Sequence, residues 1–224
     1  MIVLGLTGSI GMGKSNAATM LKRLGVPLFD ADAEVHRLLG PGGAAVSKVA
    51  ALFPDVRDER GGIDRRRLGP LVFADRDALR RLEAILHPMV RRAERRFVAQ
   101  ARARRERLVV LDIPLLFETG GTERCDYILV VSAPLRLQRE RVMRRPGMSE
   151  DRFAEILRAQ LPDHEKRRRA DFVVKTVLSR AVTFRRLQAV VRALRQGDLP
   201  HSPSRRNRGD WDARDRDRHR NHRA

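Results

Sequence analysis

Lys14 and Ser15 close the run Gly8-Ser-Ile-Gly-Met-Gly-Lys-Ser15, whose spacing is G-x-x-x-x-G-K-S. The residue types define the chemistry. Glycines let successive backbone N–H groups turn inward on a triphosphate, so Gly8, Ser9, Ile10, Gly11, Met12 and Gly13 are read as a phosphate cradle. The Lys14 ammonium can reach the β- and γ-phosphates, and the Ser15 hydroxyl can bind Mg²⁺. Asn16 follows in the same turn. The expected ligand is ATP with its Mg²⁺.

Phosphoryl transfer to a hydroxyl also needs a carboxylate for the acceptor, a second hold on the metal, and cations for the transferring charge. Asp32, in Asp30-Ala-Asp32, is the first candidate to orient or deprotonate the acceptor. Its competing reading is the N-cap of the next helix, and Asp30 can exchange roles with it. Asp112 ends an apolar run and can hold Mg²⁺ through water. Arg139, Arg141, Arg144 and Arg145 are the expected cations, placed where nucleotide kinases carry a mobile lid. From its position before Pro88 alone, His87 reads as a structural histidine. Cys125 reads as a small buried hydrophobe.

These groups need elements to place them. The apolar run Ile2–Leu6 is a strand leading into the loop, and Lys14–Leu24 has the apolar period of a helix, with Gly25 at its C-cap. Val26–Phe29 is a second strand, so Asp30 and Asp32 stand at its carboxyl end, where open parallel sheets hold ligands. Residues 34–105 read as almost wholly helical. Helices are expected at Val46–Phe53, up to Phe73, and from an Asp75 N-cap, with a break or kink at His87-Pro88 and a next helix from Met89 to about Arg105. Leu108–Asp112, Tyr127–Ser132 and Asp171–Lys175 supply three more strands. Helices are expected from Pro134 to Met143, from a Ser149 N-cap, and from Ser179 to Gly197.

The alternation implies an α/β fold, a three-layer P-loop kinase architecture on a parallel five-stranded sheet. The expected parts are a nucleotide-binding core (1–33, 106–133 and 161–197), a helical acceptor-binding insertion (34–105) and a lid (134–160). Residues 198–224 are rich in Arg, Asp, Pro and Ser and are expected to form a disordered basic tail.

Composition narrows the classes. One cysteine in 224 residues excludes an internal disulfide and points to a cytoplasmic setting. No apolar run has the length of a membrane span, and the N-terminus lacks signal-peptide grammar. The net charge of +19 suggests nucleic acid, but only 4% of residues are aromatic and acidic residues interrupt the basic tail. Attraction of a polyanionic small substrate is the better reading. A monomer or weak homo-oligomer is expected.

Several blocks together resemble the dephospho-CoA kinases. They are Gly5 to Ser15, Asp30-Ala-Asp32, Leu86-His-Pro88, Pro114-Leu-Leu-Phe-Glu118, and Gln160 with Lys166-Arg-Arg-Arg-Ala-Asp171, in order between residues 2 and about 195. The resemblance implies transfer of the ATP γ-phosphoryl group to the ribose 3′-hydroxyl of dephospho-CoA, giving coenzyme A and ADP in the last step of coenzyme A synthesis. It also implies that Asp32 is the acceptor-side carboxylate, that His87 with Arg91 lies on the CoA side, and that Leu115 and Glu118 lie near the acceptor. Two positions depart from the pattern. Asn16 stands where the family usually has Thr, and Thr176 is followed by Val177 where the family has Gly near the adenine. A β-branched residue resists the positive φ that glycine allows. The alternatives are another small-molecule or nucleoside monophosphate kinase, told apart by an acceptor panel, and a P-loop nucleic-acid-binding protein using its basic tail.

Overall fold

A computed structural model describes residues 1–177 and 179–197. The expectation for the 198–224 tail lies outside the described residues. Strand β1 (Ile2–Thr7) leads through the phosphate loop to α1 (Lys14–Arg23). Then come β2 (Leu28–Asp30), α2 (Ala31–Leu39), α3 (Val46–Leu52), α4 (Arg65–Ala74) and α5 (Arg76–Ala103). After β3 (Leu108–Asp112), a 3₁₀ turn (Gly121–Arg124) precedes β4 (Tyr127–Ser132). The chain closes with α6 (Leu135–Met143), α7 (Glu150–Ala159), α8 (Asp163–Arg169), β5 (Phe172–Lys175) and α9 (Arg180–Gln196).

The strand order is β2-β3-β1-β4-β5, and β1 pairs in parallel with both β3 and β4, as β4 does with β5. Alternation along β4 shows why both faces are covered. Tyr127, Leu129 and Val131 join the core that α1 and α9 complete, whereas Ser132, on the other face, donates to Asp163 of α8 at 2.8 Å. Leu4, Leu6 and Leu129 are fully buried, each worth about 1.5–3 kcal/mol relative to exposure. This is the three-layer arrangement of α/β folds.

The described residues divide into two compact units, one holding Met1–Leu28 and the described residues from Arg105 onward, the other Phe29–Arg104. The second unit has its own core, in which Leu38, Val49, Phe53, Leu68 and Val72 meet Leu82 and Leu86 of α5. Asp64 and Asp75 cap α4 and α5, accepting from Arg66 N–H and Asp77 N–H at 2.8 and 2.7 Å.

Two local expectations change. The break at His87-Pro88 is absent, because α5 runs through Pro88 as one 28-residue helix. Pro88 is exposed, as is Ala84, whose carbonyl loses its usual amide partner, so the defect lies on the wet side. The N-cap of α2 is Asp30, whose Oδ1 accepts from Ala33 N–H at 2.9 Å, and Asp32 is left exposed in the first turn. Among the described residues, no helix is long and apolar enough to cross a membrane.

Candidate active site

The phosphate loop leaves β1 at Thr7 and turns tightly at Ser9–Met12. Met12 N–H donates to Ser9 O at 3.2 Å, and Gly11 has φ 75°, which marks a type II turn with Ile10 and Gly11 at its centre. Gly13 caps α1 at φ 89°, a conformation that costs an L side chain about 1–2 kcal/mol. The N-terminus of α1 carries no acidic residue in its first turn, so its dipole and free N–H groups favour an anion.

The loop carbonyls are held from behind. Gln138 Nε2 donates to Ile10 O at 2.8 Å, Arg141 Nη1 to Gly11 O at 3.3 Å, and Thr176 Oγ1 to Met12 O at 2.8 Å. Arg141 also donates to Thr176 Oγ1 and Thr176 O at 3.0 and 2.7 Å, joining α6, the loop and the end of β5. Ala133 N–H donates to the Met12 sulfur at 3.0 Å.

Register brings the charged groups to the loop. Asp112 pairs across the sheet with Leu6, which lies just before the loop, and its Oδ1 meets Lys14 Nζ at 2.7 Å. Ser15 and Asn16 are exposed on the first turn of α1. Arg139 is engaged by Glu150, with Nε 3.0 Å from Oε2, and Arg144 is exposed at the end of α6. Sequence reasoning grouped Arg141 with the lid arginines; the structure gives it a load on the loop backbone instead. It missed Gln138, for which the signal was a glutamine among charged residues at the spacing of a turn from Arg141.

Glu118 serves the 161–166 segment. Its carboxylate accepts from Leu161 N–H at 2.9 Å and pairs with the fully buried Lys166 at 2.8 Å. Burial pushes the Glu118 carboxyl up, but the Lys166 hydrogen bond, the backbone donors and the Lys166 charge outweigh it and hold it below its ordinary value. Leu115, in the same block, is partly exposed.

In the second unit Asp30 and Asp32 sit at the start of α2. His87 and Arg91 are exposed one turn apart on α5. Val177 is not among the residues with positive φ, so its β-branched side chain meets no backbone strain there. It lines a cavity of about 610 Å³ in the first unit, together with Ser9, Met12, Gln138, Asp163 and Lys175.

A family model described as dephospho-CoA kinase matches residues 2–179. The dephospho-CoA kinase of Paramagnetospirillum magneticum is 58% identical over 204 residues, covering 91% of this chain and 95% of that protein. The enzyme of the same name from Rhodospirillum rubrum is 53% identical over 196 residues, covering 88% and 93%. Among solved structures, TT1252 from Thermus thermophilus is 39% identical with a TM-score of 0.75, covering 86% of this chain and 96% of that one. Dephospho-CoA kinase from Campylobacter jejuni is 27% identical with a TM-score of 0.65, covering 88% and 98%. With these relatives spanning nearly its whole described length, the chain belongs to the dephospho-CoA kinase family.

Proposed function

We propose that this protein transfers the γ-phosphoryl group of ATP to the ribose 3′-hydroxyl of dephospho-CoA, giving coenzyme A and ADP. The observation that carries the reading is the phosphate loop with Lys14 and Asp112 joined at its mouth, in a chain 58% identical to a dephospho-CoA kinase. In the first unit, the loop amides and Lys14 bind the triphosphate, with the adenine on the Val177 side. The segment 134–160, bearing Arg139 and Arg144, is the lid. The second unit takes the acceptor: Asp32 receives its hydroxyl proton, and His87 and Arg91 hold its anionic part. Leu115 and Glu118 of the first unit are assigned to acceptor binding, and Asp30 orients Asp32 by fixing the start of α2.

The reaction forms a bond between the ribose 3′-oxygen and the γ-phosphorus while the bond to the β–γ bridging oxygen breaks. ADP leaves, and the hydroxyl proton passes to Asp32. Lys14 follows the charge that moves onto the bridging oxygen. The donors at the loop suit Mg²⁺: a serine hydroxyl and a carboxylate are hard oxygen ligands, and no group of three or more metal-binding side chains occurs among the described residues. Ser15 and Asp112 are the residues that would hold Mg²⁺ here. Bound Mg²⁺ neutralises phosphate charge.

The test is mass spectrometry of purified protein with Mg-ATP and dephospho-CoA, beside a panel of nucleoside monophosphates. Conversion of dephospho-CoA alone is the expected result. Phosphorylation of a nucleoside monophosphate instead would assign the chain to another acceptor.

A further inference from the structure

Among the described residues, Ile10 is the one loop residue whose two backbone polar groups are both taken by side-chain amides. Its N–H donates to Gln160 Oε1 at 3.1 Å, and its carbonyl accepts from Gln138 Nε2 at 2.8 Å. The two glutamines bracket the segment 139–159: Gln138 lies in α6, and Gln160 follows α7 directly. Gln138 is almost fully buried. A long polar side chain carries that burial only if its amide is satisfied.

The consequence follows from peptide geometry. Carbonyl and N–H of a trans peptide point in opposite directions. Holding Ile10 O against Gln138 therefore aims the Gly11 N–H the other way. The Ile10–Gly11 peptide is the centre of the type II turn, and a flip of that one peptide separates type II from type I, in which Gly11 would have negative φ. The observed φ of 75° is the type II form. Gln160 fixes the preceding peptide, between Ser9 and Ile10, from the far end of the 139–159 segment.

We infer that Gln138 and Gln160 are positioning residues that clamp the Ile10 peptides, select the turn form of the phosphate loop, and fasten both ends of the 139–159 segment to it. This rests on the loop binding ATP, and it gives two side chains a role exerted through the loop backbone. The polarity of the clamp is fixed by the backbone: Gln160 must present oxygen and Gln138 must present nitrogen.

The test uses that polarity in the full-length protein. Amide hydrogen exchange of Ile10, followed by NMR without nucleotide, should show protection in the wild type, retention in Gln160→Glu, which keeps the acceptor, and loss in Gln160→Leu. Calorimetric ATP affinity should fall about tenfold in Gln160→Leu and in Gln138→Leu, the scale of a lost partner to a polar backbone group. Gln138→Glu, close in shape but facing the Ile10 carbonyl with oxygen, should lose at least as much as Gln138→Leu. If Gln138 variants fail to fold, the Gln160 pair decides. Equal protection in Gln160→Glu and Gln160→Leu, or wild-type ATP affinity in Gln160→Leu, overturns the clamp. A wild-type protein that binds no ATP overturns the reading of the loop instead, while the exchange measurement still tests the clamp.

Discussion

Lys14 and Asp112, 98 residues apart in the chain, meet at 2.7 Å where β1 and β3 end side by side. The carboxylate is buried and the lysine is nearly so, so the pair fixes the ammonium at the mouth of the loop. Lys14→Ala is expected to lower turnover by about 10²–10³, the range for losing one preorganised charge contact. Steady-state kinetics with saturating acceptor check this, and near-normal turnover would remove Lys14 from the mechanism. Asp112→Asn should raise the Mg²⁺ concentration for half-maximal rate by about tenfold, as for other groups one water removed from a metal.

Asp30 caps α2 and Asp32 is exposed, which separates two carboxylates that sequence left interchangeable. Asp30→Ala should cost about 1 kcal/mol in urea unfolding, the worth of an N-cap, because Ala33 N–H loses its acceptor. Asp32→Asn should leave stability unchanged and lower kcat by about 10²–10⁴, the range of general-base catalysis. Equal kcat in wild type and Asp32→Asn would move the proton acceptor elsewhere.

Glu118 predicts a pH dependence of stability. Its folded carboxyl titrates below the ordinary value of 4.5, so its contribution is complete above that pH and is lost as pH falls through the lower folded value. Glu118→Gln cannot carry the charge that Lys166 faces. The stability gap between wild type and Glu118→Gln, followed by urea unfolding from neutral pH to about pH 3, should be widest above 4.5 and narrow below it. A gap independent of pH would show that the ion pair contributes nothing.

Gly13 and Val177 make a contrasting pair beside Thr176. A Cβ on Gly13 would lie 3.2 Å from Thr176 Oγ1 at φ 89°, so Gly13→Ala combines strain with pressure on the hydroxyl that holds Met12 O. ATP affinity should fall about tenfold, in line with about 1–2 kcal/mol of backbone cost. Val177→Gly should gain nothing in ATP affinity, since no positive φ is relieved there. A large improvement would mean that the valine side chain obstructs the nucleotide.

What could be read from sequence was local. The apolar run of β1, the glycines and the Lys-Ser pair are contiguous, and their period and spacing carry the element and its chemistry together. Helix α8 was not legible: Asp-His-Glu-Lys-Arg-Arg-Arg has no apolar face, and its buried member is Lys166, whose charge is met by Glu118 from another part of the chain. Pro88 misled for the opposite reason, since a strong local rule yields where the helix face is wet. The hold of Gln160 on Ile10 spans 150 residues, and no spacing rule encodes a contact between two loops so far apart in the chain.

The tethered carbonyls of Ile10, Gly11 and Met12 have an energetic meaning for the nucleotide. Fixing a backbone residue costs roughly 1–2 kcal/mol in entropy, and here that ordering is completed when the chain folds. An arriving triphosphate meets a rigid receptor and leaves little freedom behind to be lost. The ordering that the loop needs is therefore supplied by folding and is not drawn from the binding of the nucleotide.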